Sequence, residues 1–138
     1  MENNNRFSNH RNPAVSIGLG VVLSILVMLI GTLGVTSLLL NDSITTEGLG
    51  ISVLVITELA VVFGCTFSTL RTGRAILPVA LGTGLGFFVV QLSITALFFD
   101  GQYHGALVTL FAVLSSSVAV ALVILKYMNQ PKRYRKKR

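Results

Sequence analysis

Glu58 is an acidic side chain set within a long apolar run, and the rest of the chain has to accommodate its chemistry. The run extends from about Gly48 to Leu70, which puts the carboxyl about ten residues, or about 15 Å, from one end of a helical span. That is close to the midplane of a bilayer whose hydrocarbon core is about 30 Å thick. A carboxylate there without a partner costs about 2.5 to 3.5 kcal/mol on insertion scales, so it has to be protonated, paired or reached by water. No Lys or Arg stands at that depth, so Glu58 is expected to be neutral at pH 7 unless a wet cavity reaches it. Counting inward from the same side along the other apolar runs brings Thr32, Gln91 and Ser115 to Ser117 to about 12 to 18 Å, level with Glu58. The spacing predicts one polar layer to which every span contributes, with Glu58, Gln91, Thr32, Ser115 and Ser116 as candidate site residues. Such a layer has two uses. A protonated Glu58 donating to Gln91 or a serine would fix helix register at about 0.6 kcal/mol per contact; the other use is a proton or solute site.

Other reactive residue types do not assemble. Cys65 is the single cysteine, which leaves no disulfide and no cysteine metal cluster. His10 and His104 fall on opposite sides of the predicted spans and cannot share a metal ion. Gly18-Leu19-Gly20 and Gly82-Thr83-Gly84 lie inside apolar runs rather than after strands, so they are not phosphate-binding loops. No nucleophile and base pair can be composed, and no catalytic residue, metal or cofactor is expected.

The elements that would position the polar layer follow from length and hydropathy. The chain has 138 residues, 52% hydrophobic and 12% charged, and apolar runs at about Val15 to Leu40, Gly48 to Leu70, Ala75 to Phe99 and Gly105 to Tyr127. Each exceeds the length of about 18 residues needed to cross a bilayer. The predicted architecture is all-α, an integral membrane four-helix bundle in antiparallel up-down order. A polar tail occupies residues 1–14, the four-helix domain residues 15–127 and a polybasic tail residues 128–138. The first span is too long for a secretory h-region of about 7 to 15 residues, so it reads as a retained anchor. Pro13 suits a helix start, Pro78 falls in the first turn or so of the third helix, and Gly73 can supply a positive φ in the turn Arg71-Thr72-Gly73-Arg74.

All 11 Lys and Arg fall on one side of such a fold: Arg6 and Arg11 before the first span, Arg71 and Arg74 between the second and third, and the remaining seven from Lys126 to the end. The opposite loops hold Asp42, Glu47 and Asp100. Short loops rich in Lys and Arg stay cytoplasmic, which predicts a multi-pass protein of the plasma (inner) membrane with both termini inside. The formal charge of +6 is concentrated beside a membrane exit, so anionic lipid headgroups are the expected partner ahead of nucleic acid. Arg71, Arg74, Lys132, Arg133, Arg135, Lys136, Lys137 and Arg138 are the candidate contacts. Small residues at spacings of four, Ser16, Gly20 and Ser24, then Ala80 with Gly84, Gly82 with Gly86 and Ala112 with Ser116, would let helices approach closely, since lipid tails give helices no hydrophobic reason to associate. Gly20, Gly82, Gly84 and Gly86 are the glycines assigned to packing. The Gly82 and Gly86 pair is read first as internal packing and second as a contact to a homodimer partner.

In size, four-span plan, the basic turn from Arg71 to Arg74 and the Gly-rich stretch from Gly82 to Phe88, the chain resembles the small bacterial membrane proteins grouped as YrzE-like, over about Val15 to Leu125. The resemblance implies a bacterial plasma membrane protein with no assigned activity. Small multidrug-resistance transporters share the size and a membrane-embedded Glu, but theirs lies in the first helix beside an aromatic site that includes Trp, whereas this chain has its acid in the second run and no Trp. The expected function is a non-enzymatic accessory or interaction protein, alone or with a membrane-protein partner; the alternative is a proton-linked small-solute transporter using Glu58. For the topology, cysteines placed at Asn5 and Gln130 should be shielded from an impermeant reagent outside intact cells and one at Thr45 should react. Labeling of either terminus from outside would overturn it.

Overall fold

The computed structural model describes residues 12–73, 75–98 and 105–129. They form four helices, α1 (Pro13–Leu40), α2 (Thr46–Thr72), α3 (Ile76–Phe98) and α4 (Ala106–Met128). Each is long and apolar enough to cross a membrane. In a bilayer the backbone finds no water to bond, so an apolar stretch of this length settles as a continuous helix that satisfies its own N–H and C=O groups. The termini follow local chemistry. Pro13 occupies the first turn of α1, where its missing N–H has no helical partner to lose. Gly73 ends α2 in the left-handed region at φ 65°, its N–H donating to the Thr69 carbonyl over 3.0 Å. Gly105 precedes α4 at φ 85°. α2 begins two residues before the expected Gly48, because Gly48 donates its N–H to the Thr45 carbonyl and is already inside the first turn. The tail through residue 11, Arg74, the connection Asp100 to His104 and the basic tail from residue 130 lie outside the described residues.

Both α2 and α3 touch all the other helices, whereas α1 and α4 do not touch each other among the described residues. Gly20 of α1 meets Gly64 and Ser68 of α2, and Gly31 meets Ile56. Numbers rise along one helix as they fall along the other, so this pair runs antiparallel.

The bundle is inside out by the standard of a soluble protein. Leu33, Leu40, Leu97, Leu107 and Phe111 are among many large apolar side chains left exposed, while Ser16, Ser24, Ser68, Thr83 and Ser117 are fully buried. A soluble bundle would bury the first set. Lipid solvates it instead. The buried hydroxyls of Ser24, Thr83 and Ser117 donate to carbonyls four residues back in their own helices, at 3.0, 2.8 and 2.8 Å, which offsets their desolvation; Ser16 Oγ is buried without a partner among the described residues.

Packing is uneven along the bundle. In α1 no residue beyond Ser24 is buried and in α2 none before Thr57; in α3 none beyond Phe87 and in α4 none before Val113. The close-packed half is the one that contains the Gly73 turn. There a Cβ on Gly20 would stand 2.9 Å from the Gly64 carbonyl oxygen and 2.8 Å from Ser68 Cβ, and one on Gly64 would fall onto Ser24 Oγ and 2.6 Å from the Gly20 carbonyl oxygen. The two backbones touch, as only small residues allow. Gly64→Val should therefore destabilize the bundle by about 1 to 3 kcal/mol or more. Gly34→Ala, at a helical position with nothing within 4 Å of the added carbon, should be neutral or stabilizing by up to about 1 kcal/mol. Unfolding in a denaturing detergent titration would measure both.

Candidate intramembrane polar site

Glu58 projects from the middle of α2 toward α4, where Ser116 Oγ donates a hydrogen bond to Glu58 Oε2. The contact sits where packing loosens. Toward the Asn41 end the helices part around a cavity of about 320 Å³. Its polar members are Thr57, Glu58, Gln91 and Thr109, and its walls include Val53, Leu54, Val108 and Ala112. Gly50 and Gly105, near the starts of α2 and α4, also line it, so it reaches from the ends of those helices down to the carboxyl. A second groove, about 480 Å³, continues along α2 and α4 toward the other end, lined by Val62, Thr66, Leu70, Ser116, Val120, Tyr127 and Met128 among others. Ser116 lines this groove and also holds the acid of the cavity. The Glu58 and Ser116 pair therefore stands between two voids on one seam.

The expected layer is narrower than its depth alone suggested. Glu58, Gln91 and Ser116 come together from α2, α3 and α4. Ser115 does not join them: it is exposed and its hydroxyl donates to the Ala112 carbonyl over 2.8 Å. Thr32 donates to the Leu29 carbonyl of its own helix over 2.9 Å and does not line the cavity among the described residues. Ser117 turns inward instead, beside Gly84 and 3.6 Å from Cys65 Sγ.

Gln91 Oε1 is enclosed without a hydrogen-bond partner. A buried amide oxygen in that state forgoes the stabilization that a purely structural plug would collect. Thr57 and Thr109 commit their protons to the carbonyls of Val53 and Gly105, at 2.8 and 3.1 Å, which leaves their lone pairs as acceptors. The basic side chains among the described residues are Arg71 and Lys126, in the last turns of α2 and α4 and so at the other end from the cavity. The site is an acceptor-rich recess on an otherwise apolar seam.

Of the packing glycines, Gly20 meets α2, Gly84 meets Ser117 and Val113 of α4, and Gly82 and Gly86 meet Ile17 and Val21 of α1. The Gly82 and Gly86 pair is thus consumed by an internal contact. Arg71 is in the last turn of α2; Arg74, Lys132, Arg133, Arg135, Lys136, Lys137 and Arg138 lie outside the described residues. Sequence reasoning passed over Thr57 and Thr109 as site residues. It also passed over a buried polar contact deeper in the bundle, where Ser68 Oγ and Thr83 Oγ1 lie 2.8 Å apart and Cys65 Sγ lies 3.3 Å from the Ala80 carbonyl oxygen. The spacing of Cys65, Ser68 and Thr69 on one face of α2 was the available signal.

The length and composition of the helices mark a multi-pass membrane protein. No protein-family model, curated protein or solved structure matches the chain.

Proposed function

We propose that the chain is a proton-linked carrier of a small solute, working at Glu58 without catalysis. The single observation that carries this reading is the placement of Glu58 and Ser116 between a cavity open toward one end of α2 and α4 and a groove running toward the other. A carrier needs a membrane-embedded site that can be reached from each side in turn, and a titratable group there couples a proton to the solute. The unpartnered Gln91 oxygen supports the same reading, since a layer serving only helix register gains by satisfying every member. The setting that the YrzE-like resemblance implies is a bacterial plasma membrane. Sorting of Lys and Arg supports cytoplasmic termini and an antiparallel up-down order, with the Glu58 cavity facing out, and the basic tail would hold anionic headgroups at about 1 kcal/mol per residue.

A second reading, an accessory protein that docks on a membrane partner, is favored by the groove of about 480 Å³ on α2 and α4, whose lining is almost wholly apolar and concave. The two readings part at Glu58. Glu58→Gln keeps hydrogen-bonding capacity and removes the titratable proton, so it should fold as the wild type does. Glu58→Leu strands Ser116 and should be tolerated only if Ser116 finds another acceptor. In liposomes with an entrapped pH dye, a mixture of small amines, amino acids, sugars and monovalent cations should dissipate an imposed pH gradient through the wild-type protein, and Glu58→Gln should abolish the flux. Equal flux through Glu58→Gln would refute the carrier. An inert wild type that co-purifies with a stoichiometric membrane partner would establish the accessory role instead.

A further inference from the structure

The carrier reading leaves the solute unspecified, and the chemistry of the cavity narrows it. We infer that the Glu58 cavity takes a small organic ammonium ion, which competes with a proton for the one carboxylate; this inference rests on the proposed role of Glu58 as the working site.

The lining supplies acceptors. Ser116 occupies Glu58 Oε2 with one donated bond, whereas a carboxylate offers about four acceptor positions. Thr57 and Thr109 have turned their protons to their own helices, and their oxygens can accept from a ligand. Gln91 also lines the cavity, its amide oxygen enclosed without a partner. No fixed cation faces the site from any helix that lines it: among the described residues, Arg71 and Lys126 are the basic side chains, at the far ends of α2 and α4. The other described acids are Asp42 and Glu47, at the mouth end of the bundle, and each would attract a cation and repel an anion. An anionic solute entering here would meet a carboxyl and no counter-charge, in a medium where that mismatch is costly. An ammonium group brings the N–H donors that the lining lacks and the charge that an ionized Glu58 requires.

Size and wall chemistry set the rest of the class. About 320 Å³ holds an ion of a few heavy atoms together with its waters. The walls given by Val53, Leu54, Val108 and Ala112 favor a short alkyl substituent over a fully hydrated metal ion. Protonated Glu58 is neutral and offers the ammonium no charge, so proton and cation exclude each other. Linkage fixes the sign: binding the cation releases a proton, and lowering pH weakens cation binding, by tenfold per pH unit once the carboxyl is protonated in the free protein.

Methylammonium chloride, added to the full-length protein in detergent under weak buffering and over a pH range in which the free Glu58 carboxyl is protonated, is the probe. Wild type should release protons saturably, to at most one per chain, and Glu58→Gln, confirmed helical by circular dichroism, should release none; an apparent affinity tenfold weaker per pH unit of acidification completes the signature. Sodium acetate and urea serve as the anionic and neutral comparisons and should give no saturable signal. Release of equal size from Glu58→Gln, methylammonium binding without proton release, or saturation by acetate or urea in place of methylammonium would each overturn the ammonium class. If the class fails while solute-driven, Glu58-dependent proton flux persists in liposomes, the carrier stands with a different solute. Loss of that flux dependence removes the carrier itself.

Discussion

The contact between the backbones of α1 and α2 at Gly20 and Gly64 is the constraint on which the rest of the structure depends. Lipid tails are as apolar as leucine, so nothing expels these helices from the bilayer into one another; association has to come from dispersion at close range and from a few polar contacts. Close range requires that side chains be absent. A Cβ on either glycine would press against the other's carbonyl oxygen, and around that point Ser24, Ser68, Thr83 and Cys65 are all fully buried. Many of the large apolar residues face outward, where lipid solvates them, although Phe87 is buried. α4 is held on the other side by the same device, with Ser117 seated over Gly84.

Close packing at one end has a consequence at the other. Toward the Asn41 end α1 still meets α2 closely, at Gly31 and Ile56, whereas α2, α3 and α4 leave a space between them. The cavity below Gly50 and Gly105 is the space left over, and Glu58 stands at its floor. The polar site therefore borders the loosest part of the bundle, where helices can shift with the least loss of packing. On the carrier reading, the firm half acts as a hinge and the Glu58 to Ser116 bond as the contact that is made and broken.

The spans were legible because length and hydropathy alone decide them, and Gly73 was legible because a short turn between two helices needs a residue tolerant of positive φ. The polar layer was legible only in depth. Counting residues from a helix end gives height along the axis and leaves direction around it open, and consecutive residues point about 100° apart. Ser115, Ser116 and Ser117 share a height but face lipid, Glu58 and the packed core in turn. Thr32 failed for the same reason. Which serine meets the acid depends on how α4 is rotated, and that is set by Ser117 fitting over Gly84, a contact between residues far apart in the chain. Gly82 and Gly86 posed the converse problem: spacing identified a close-approach face, but whether α1 or a second copy covers it is a tertiary matter, and here Ile17 and Val21 of α1 cover it.

The central claim is that water and small polar molecules reach Glu58 along α2 and α4 while the opposite faces of the same helices stay in lipid. Single cysteines in a Cys65→Ala background, probed with a small hydrophilic thiol reagent, measure this directly. Val53→Cys and Thr109→Cys, on the cavity lining, should react; Val55→Cys and Phe111→Cys, on exposed apolar faces at similar depth, should remain unmodified because a thiol in hydrocarbon does not ionize. Equal reactivity of the two pairs, or no reaction at either cavity position, would contradict the claim.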